Sequence, residues 1–239
     1  MDRPFKLVEL QQNSSEWHAW RHKGIGASDA SVAISKRGMS RARLLEEKRG
    51  SEPPEDSFTN EAMDRGTELE PKARSRYNEK YGTNVRAVCI QSTPYPWLRA
   101  SLDGLSDDGS LVVEIKCGAR VHQQALERFP VQYKAQVQHI LAVTGLPSLN
   151  FWCYWPESSN PEILLSVKRD EGYIKRLLVA EQEFWDEVLS DKNPIEEFVD
   201  DRHGDKETTI SIGDLTGLTE LDPSHKQLTE LSPGLGNLT

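Results

Sequence analysis

A short charged strand that follows an acidic turn constrains this chain more than any other feature. The segment 111–116 reads Leu-Val-Val-Glu-Ile-Lys, so in a strand Glu114 and Lys116 share one face while Val113 and Ile115 share the other. Buried charges are costly unless they are paired or bound to a metal ion. The segment therefore predicts either a salt bridge or a catalytic site on an otherwise apolar strand.

Asp103 precedes this strand, across a turn rich in Asp and Gly. A hairpin from Asp103 through Gly109 brings the Asp103 carboxylate beside Glu114, and two convergent carboxylates make a hard-oxygen site suited to Mg²⁺ or Mn²⁺. Lys116 can orient or deprotonate an attacking water there, which suits phosphodiester hydrolysis. Two other interpretations stay open: an edge-strand ion pair of Glu114 with Lys116, or a calcium loop in the acidic turn, whose spacing fits an EF-hand poorly.

The pattern around this hairpin predicts a mixed α/β domain. Short β-branched or aromatic runs predict a central mixed β-sheet of about five strands flanked by helices, with strands at 85–91, 97–102, 110–116, 149–155 and 162–168. Helices are predicted at 41–49, 60–81, 131–144 and 170–189, with a kink or break at Pro71. A capping box of Asn13 and Glu16 predicts another short helix, and Ser28 or Asp29 can cap a further one.

The composition of the chain changes near Asp200. All 6 Trp, 6 Tyr and 6 Phe residues lie before residue 201, and acidic residues outnumber basic ones after it. We therefore predict a folded domain at 1–200 and an acidic, aromatic-free extension at 201–239 that is either mobile or a leucine-bearing docking segment for a partner.

Charge and cysteine content narrow the class of protein. The formal net charge of -9 argues against a surface that binds nucleic acid everywhere, although it leaves room for a basic groove. The 3 cysteines are scattered, which indicates free thiols in a reducing, cytoplasmic compartment. No apolar run reaches the roughly 20 residues of a membrane helix, so no membrane partner is expected. The histidines lack metal-ligand spacing with the cysteines, which disfavours zinc.

Five short motifs include the hairpin and its surroundings. In chain order they are Trp17-x-x-x-Arg21, Gly26-Ala-Ser28, Arg65-Gly-Thr-Glu-Leu-Glu70-Pro-x-Ala-Arg74, Asp103 with Glu114-Ile-Lys116-Cys117, and Tyr133-x-Ala-Gln136-Val-Gln138. Together they resemble the lambda-exonuclease, or YqaJ-like viral recombinase, family of PD-(D/E)XK nucleases, over roughly residues 13 to 168. One departure is Leu102, which stands where the motif has proline and removes a φ restraint before Asp103.

The resemblance implies a restriction-endonuclease-like core and a metal-dependent 5′-to-3′ exonuclease. Such an enzyme degrades one strand of double-stranded DNA from its ends to 5′-mononucleotides, in recombination. Asp103, Glu114 and the Ile115 carbonyl would bind two Mg²⁺ ions per active site, for which Mn²⁺ substitutes, and Lys116 would position the attacking water. Glu70 would lie near the metal site and Gln136 would help to hold the water.

Two of these residues have simpler interpretations without the family. Glu70 lies four residues before Arg74, the spacing of an ordinary intrahelical ion pair. Gln136 on an amphipathic helix is ordinarily solvated. The resemblance favours the catalytic roles over both.

Arg21 and Ser28 predict a phosphate pocket. A serine that caps a helix places its hydroxyl and free backbone N–H groups at the positive end of the helix dipole, and an arginine beside it offers a bidentate fork. The resemblance assigns this pair to the 5′-phosphate at the recessing end of duplex DNA. A helix cap next to an unrelated surface arginine is the alternative.

The resemblance also implies partners. A homotrimer would surround the duplex, and a single-strand annealing protein would act with it. Two other functions remain open: a PD-(D/E)XK endonuclease of restriction or repair type, and a non-catalytic DNA-end-binding module. The aromatic run at 151–155 either stacks on bases or belongs to the core.

Overall fold

The described part of the chain is residues 3–35, 38–51 and 61–190 of a computed structural model, with side chains described from residue 65 onward in the last range. The acidic extension predicted at 201–239 lies outside these residues. Within them, no helix combines the length and the apolar character that crossing a bilayer requires.

A mixed sheet of 6 strands forms the centre of the fold, and its strands lie side by side in chain order. The strands are β1 (Phe5–Val8), β2 (Arg86–Ser92), β3 (Arg99–Leu105), β4 (Val112–Cys117), β5 (Ser148–Tyr154) and β6 (Glu162–Lys168). Neighbouring strands are antiparallel except β4 and β5, which are parallel. The predicted mixed α/β class is therefore confirmed.

β1 is the strand that the sequence did not predict, so the sheet has 6 strands rather than about five. Phe5 is the only buried residue of this strand, and it pairs with Ser92 of β2. A single buried position gives too little alternation to distinguish a strand from a loop. The five predicted strands are all present, with ends displaced by at most three residues.

Helices pack on both faces of this sheet. In the described ranges they are α1 (Ser15–His22), α2 (Ala30–Ala33), α3 (Met39–Arg49), α4 (Glu61–Tyr81), α5 (Ala119–Glu127), α6 (Lys134–Thr144) and α7 (Glu171–Leu189). α6 follows a 3-10 turn at Val131–Tyr133 and ends where Gly145 takes a left-handed φ of 71°. The four longer predicted helices are present, whereas α5 was not predicted.

Two local predictions are wrong, a break at Pro71 and a helix cap at Asn13. α4 continues through Pro71 without a break, because Ala73 and Tyr77 in the following turns are buried against the sheet. The cap of α1 is Ser14 rather than Asn13, since Ser14 Oγ accepts a hydrogen bond of 3.2 Å from the Trp17 N–H. Asn13 instead adopts a left-handed φ of 68° just before the helix.

β4 divides its side chains between the two layers of the core, as its alternation predicts. Val113 and Ile115 pack in the cluster that includes Tyr77 of α4. Val112 packs in the larger cluster, which includes Ile140 of α6. Glu114 and Lys116 share the Val112 side of the strand, so α6 is the helix that faces these two charges.

Candidate active site

The two strands that carry the predicted acids separate at the site. β3 and β4 pair at Leu105 with Val112 and at Gly104 with Val113. Beyond Gly104 this pairing ends, and the Asp103 carboxylate accepts a hydrogen bond of 2.7 Å from the Ile115 N–H. A side chain thus replaces a ladder hydrogen bond, and a cleft begins between the strands.

Glu114 is the buried centre of the site, because only 2% of its side chain is exposed. Its Oε1 lies 2.6 Å from Lys116 Nζ. The same oxygen accepts a hydrogen bond of 2.6 Å from Gln136 Nε2 of α6. The carboxylate is therefore held by one cation and one amide, and Gln136 is not an ordinary solvated glutamine.

This geometry decides between the interpretations left open by the sequence. β4 lies between β3 and β5, so Glu114 and Lys116 are not an edge-strand pair. The carboxylates of the acidic turn already have partners. Asp108 accepts hydrogen bonds from the hydroxyls of Ser106 and Ser110, and Asp107 forms an ion pair with Arg86. Asp103 points away from these residues towards Ile115, so the calcium-loop interpretation is wrong.

Arg74 connects a further acidic residue, Glu70, to Asp103. It forms an ion pair with Glu70 on α4, and its Nε donates a hydrogen bond to the Asp103 carbonyl oxygen. The intrahelical pair therefore exists as the simpler interpretation predicts, and it also anchors the strand that carries Asp103. Burial raises the pKa of Glu70, opposed by Arg74 and reinforced by the negative charge of Glu114.

The electrostatics of the cleft favour a bound cation. Burial first, and then the Glu114 charge, raise the pKa of Asp103 well above its usual range. Burial alone would lower the pKa of Lys116, but Glu114 and Asp103 raise it, so this amine stays a cation. Three acidic groups thus share the site with two cationic side chains, and the raised pKa values of Asp103 and Glu70 show that holding all three as anions is costly. A bound cation would relieve this repulsion.

The donor set at the cleft is made of oxygens. Among the residues that the structure describes, no three His, Cys, Asp or Glu side chains are grouped to hold a metal ion on their own. Asp103 and Glu114 could hold one together with a main-chain oxygen, such as the Ile115 carbonyl. Carboxylate and carbonyl oxygens are the ligands that Mg²⁺ and Mn²⁺ prefer, so the chemistry of these residues fits such an ion.

Arg21 and Ser28 are in contact, as predicted. Arg21 Nη2 donates a hydrogen bond to Ser28 Oγ, and the guanidinium carbon lies 5.1 Å from the centroid of the Trp17 ring. Arg21 Nη2 also lies 3.5 Å from Asp29 Oδ1. Burial alone would raise the pKa of Asp29, but Lys48 and Arg21 lower it, so Asp29 orients Arg21 as a carboxylate.

The helix-cap part of the phosphate-pocket prediction is wrong. The N-cap of α2 is Asp29, and Ser28 precedes it. α2 has only 4 residues, so its dipole is small and adds little to anion binding. Ser28 therefore contributes its hydroxyl beside Arg21, without the free N–H groups of a long helix.

Ser101 is a site residue that the sequence analysis missed. Its Oγ accepts a hydrogen bond of 2.8 Å from Trp17 Nε1, and it lies two residues before Asp103 on β3. This contact joins α1, which carries Arg21, to the strand that carries the first carboxylate. The period of two along a strand was the available signal, but a lone serine gives no reason to apply it.

Comparisons with known proteins agree with this architecture. The alkaline exonuclease LHK-Exo from Laribacter hongkongensis has a similar structure, with a TM-score of 0.67, 26% identity, and coverage of 78% of this chain and 98% of that one. The same enzyme in complex with dAMP gives a TM-score of 0.68 at the same identity and coverage. A phage-related exonuclease from Haemophilus somnus 129PT, with a TM-score of 0.50 and 12% identity over 70% of this chain and 95% of that one, shares the fold alone. The mixed sheet flanked by helices is thus an exonuclease-type α/β fold.

The chain belongs to the family of the YqaJ-like viral recombinase domain, which matches residues 16–147. The protein named Uncharacterized protein YqaJ from Bacillus subtilis (strain 168) is 27% identical over 219 residues, covering 86% of this chain and 68% of that protein. The family and the structural neighbours together support a nuclease.

Proposed function

We propose that this protein is a Mg²⁺-dependent exonuclease that degrades one strand of double-stranded DNA, 5′ to 3′ from its ends, to 5′-mononucleotides in recombination. One observation carries the proposal: Asp103, Glu114 and Lys116 converge, largely buried, where β3 and β4 separate. Two acids and one cationic amine at the point where two strands separate are suited to hydrolysis of a phosphodiester.

Each residue has a proposed role in that chemistry. When bound, two Mg²⁺ ions, or Mn²⁺ in their place, would supply Lewis-acid stabilisation of the charge that develops on the phosphate. Asp103, Glu114 and the Ile115 carbonyl would hold them. Lys116, a cation across the neutral pH range, positions the attacking water.

Gln136 and Glu70 support this arrangement from two helices. Gln136 shares the Glu114 oxygen with Lys116, so it can hold the attacking water beside the lysine and keep the carboxylate oriented. Glu70 acts through Arg74, which also bonds the Asp103 carbonyl oxygen. Glu70 therefore helps to place the first metal ligand.

We propose that Arg21 and Ser28 bind the 5′-phosphate of the recessing end. Side-chain exposure of 32% leaves part of the Arg21 guanidinium open to a ligand, and the Ser28 hydroxyl adjoins it. The Trp17 bond to Ser101 links this pair to the strand of Asp103. An anchored 5′ end beside the carboxylates would give the enzyme its polarity.

The similar protein LHK-Exo supports the activity and the product. It is named an alkaline exonuclease, and one of its structures contains dAMP, a deoxynucleoside monophosphate of the kind that this reaction would release. We further propose a homotrimer around the duplex, which the resemblance to the family implies. Such a ring would confine positive contacts to a channel and so reconcile the net charge of -9 with a DNA substrate. A single-strand annealing protein is the proposed partner, in the cytoplasm.

Digestion of linear, nicked and closed-circular DNA, with Mg²⁺ or with EDTA, tests this function. We expect linear DNA to be degraded to mononucleotides with Mg²⁺, closed circles to survive, and EDTA to stop the reaction. Cleavage of closed circles would favour the endonuclease alternative. Binding to ends without cleavage in either Mg²⁺ or Mn²⁺ would favour a DNA-end-binding module.

A further inference from the structure

A pocket adjoins the lysine end of β4 and extends beyond the residues that the proposed chemistry uses. Its volume is about 1210 Å³, and its walls come from α4, the start of α5, the 3-10 turn and the residue after β5. Tyr133 joins it to the active site, because the ring lines the pocket and its centroid lies 5.1 Å from Lys116 Nζ. Small-ligand pockets measure roughly 300–1,000 Å³, so this one has room for a nucleotide unit.

Gly66 allows the start of α4 to lie close to the pocket. A Cβ at this position would lie 3.3 Å from the Cys117 carbonyl oxygen. The absence of a side chain therefore lets α4 approach the end of β4. This approach places Arg65, the neighbour of Gly66, in the pocket wall.

The pocket walls combine positive charge with aromatic surface. The Arg65 guanidinium carbon lies 4.5 Å from the centroid of the Trp155 ring, and Arg65 pairs with Glu157. Arg120 is exposed and has no ion pair with the residues that the structure describes. Glu68 is the acidic residue of the lining. Arg120 is therefore the arginine available to an anionic ligand, while Arg65 orients the indole.

The Arg21 pair, the carboxylates and the pocket are attached to strands that follow one another in the sheet. Arg21 is attached to the β3 side through the bond of Trp17 to Ser101. Asp103 and Glu114 lie between β3 and β4, and the pocket opens on the side of β4 and β5. A DNA strand that is bound by its 5′ end at Arg21 and cleaved at the carboxylates would reach the pocket with its next nucleotide.

We propose that this pocket binds the nucleotide on the 3′ side of the scissile phosphate. Arg120 contacts the phosphate that follows this nucleotide, and Tyr133 and Trp155 pack against its sugar and base. This inference rests on the proposed function, whose polarity fixes which nucleotide arrives here. Aromatic rings can stack on every base, so the pocket would bind each new nucleotide whatever the DNA sequence.

Chemically altered DNA tests the assignment. The substrate is a 5′-phosphorylated linear duplex in which the phosphate after the second nucleotide is a neutral methylphosphonate, and the readout is KM and kcat for release of the first nucleotide. In the wild type, this change should raise KM about tenfold, the worth of one charge-assisted contact. Arg120→Gln should raise KM about tenfold on ordinary DNA and respond no further to the methylphosphonate. An abasic second nucleotide should likewise weaken the wild type but not Trp155→Leu.

Arg128→Gln is the matched control, since Arg128 is exposed and lies at the opposite end of α5. It should behave as the wild type, and circular dichroism should show that all variants are folded. If Arg120→Gln keeps the full tenfold response to the methylphosphonate, the pocket assignment is wrong while the exonuclease function stands. If the wild type releases no mononucleotide from any end, the proposed function is wrong and the pocket assignment is overturned with it.

Discussion

The Asp103 carboxylate occupies the place of a main-chain acceptor, because it takes the Ile115 N–H at 2.7 Å. The side chain therefore does two separable things: it completes the hydrogen bonding of β4, and it brings a negative charge into a buried cleft. The first is a matter of stability and the second a matter of chemistry. Substitutions can separate them.

Asp103→Asn should keep the hydrogen bond and lose the charge. Because burial and the Glu114 charge raise the pKa of Asp103, a neutral amide should leave the free energy of unfolding within about 1 kcal/mol of the wild type, or raise it. Asp103→Ala leaves the Ile115 N–H without its acceptor and should cost about 1–3 kcal/mol. Urea denaturation measures both, and nuclease assays should find both inactive. Equal losses of stability would contradict this separation.

Lys116→Ala should abolish cleavage and preserve DNA binding, because the lysine acts on the water more than on the DNA backbone. We expect a fall in kcat of at least about a hundredfold, with an end-binding affinity within threefold of the wild type in gel-shift titrations. Lys134→Ala is the control, since Lys134 pairs with Asp170 on the surface. Unchanged turnover in Lys116→Ala would rule out the role of this lysine.

Arg21→Ala should remove the preference for 5′-phosphorylated over 5′-hydroxyl ends. Loss of a charge-assisted contact should lower kcat/KM on phosphorylated ends by about tenfold or more, and should hardly change it on hydroxyl ends. Competition between the two substrates in one reaction measures the ratio directly. Arg86→Ala, which removes an exposed arginine paired with Asp107, serves as the control. An equal loss on both ends would make Arg21 a general backbone contact.

The sequence predicted the proximity of Asp103, Glu114 and Lys116 better than the contacts around them, for a physical reason. Glu114 and Lys116 stand out because charges on an apolar strand are costly, so the pattern alone demands an explanation. Ser101 and Tyr133 carry no such cost. Their contacts with Trp17 and Lys116 depend on how α1 and the 3-10 turn pack, which no local pattern records.

The errors in predicting the fold from the sequence have similar causes. β1 has one buried side chain, so its place in the sheet comes from pairing with β2 and not from its own alternation. Pro71 disfavours a helix locally, yet tertiary packing of Ala73 and Tyr77 outweighs that preference. Ser28 has the residue type of a helix cap, but the following helix is too short to make use of it.

Gly104→Ala should destabilise the protein next to the cleft. A Cβ on Gly104 would lie 2.8 Å from Val85 Cγ2 and 3.3 Å from Val113 Cβ, and a β-branched valine has little freedom to move away. The expected loss is about 1–3 kcal/mol in urea denaturation. Gly172→Ala is the matched control. Gly172 lies on α7, and the atom nearest to an added Cβ would be 3.6 Å away. The free energy of unfolding of this variant should rise by up to about 1 kcal/mol. A tolerated Gly104→Ala would mean that β3 can shift, and the Asp103 hydrogen bond would then move with it.

A buried pair between α6 and α7 should make stability depend on pH. His139 Nδ1 lies 2.7 Å from Glu181 Oε1, its Nε2 lies 2.8 Å from the Arg99 carbonyl oxygen, and both side chains are 0% exposed. Burial alone would lower the pKa of His139, but Glu181, the Arg99 carbonyl and the more distant Asp29 together raise it above 6.5. The native state therefore binds this proton more tightly than the unfolded chain does.

The sign of the effect follows from that difference. The stabilisation is complete below the unfolded pKa, about 6.5, and it is lost as the pH rises through the higher pKa of the folded state. His139→Gln cannot titrate, so its free energy of unfolding should be lower by about 1–3 kcal/mol at pH 6 and should fall less between pH 6 and pH 9. Urea denaturation across this range measures both slopes. Parallel curves for His139→Gln and the wild type would show that His139 does not gain a proton in the native state over this range, which would contradict the prediction.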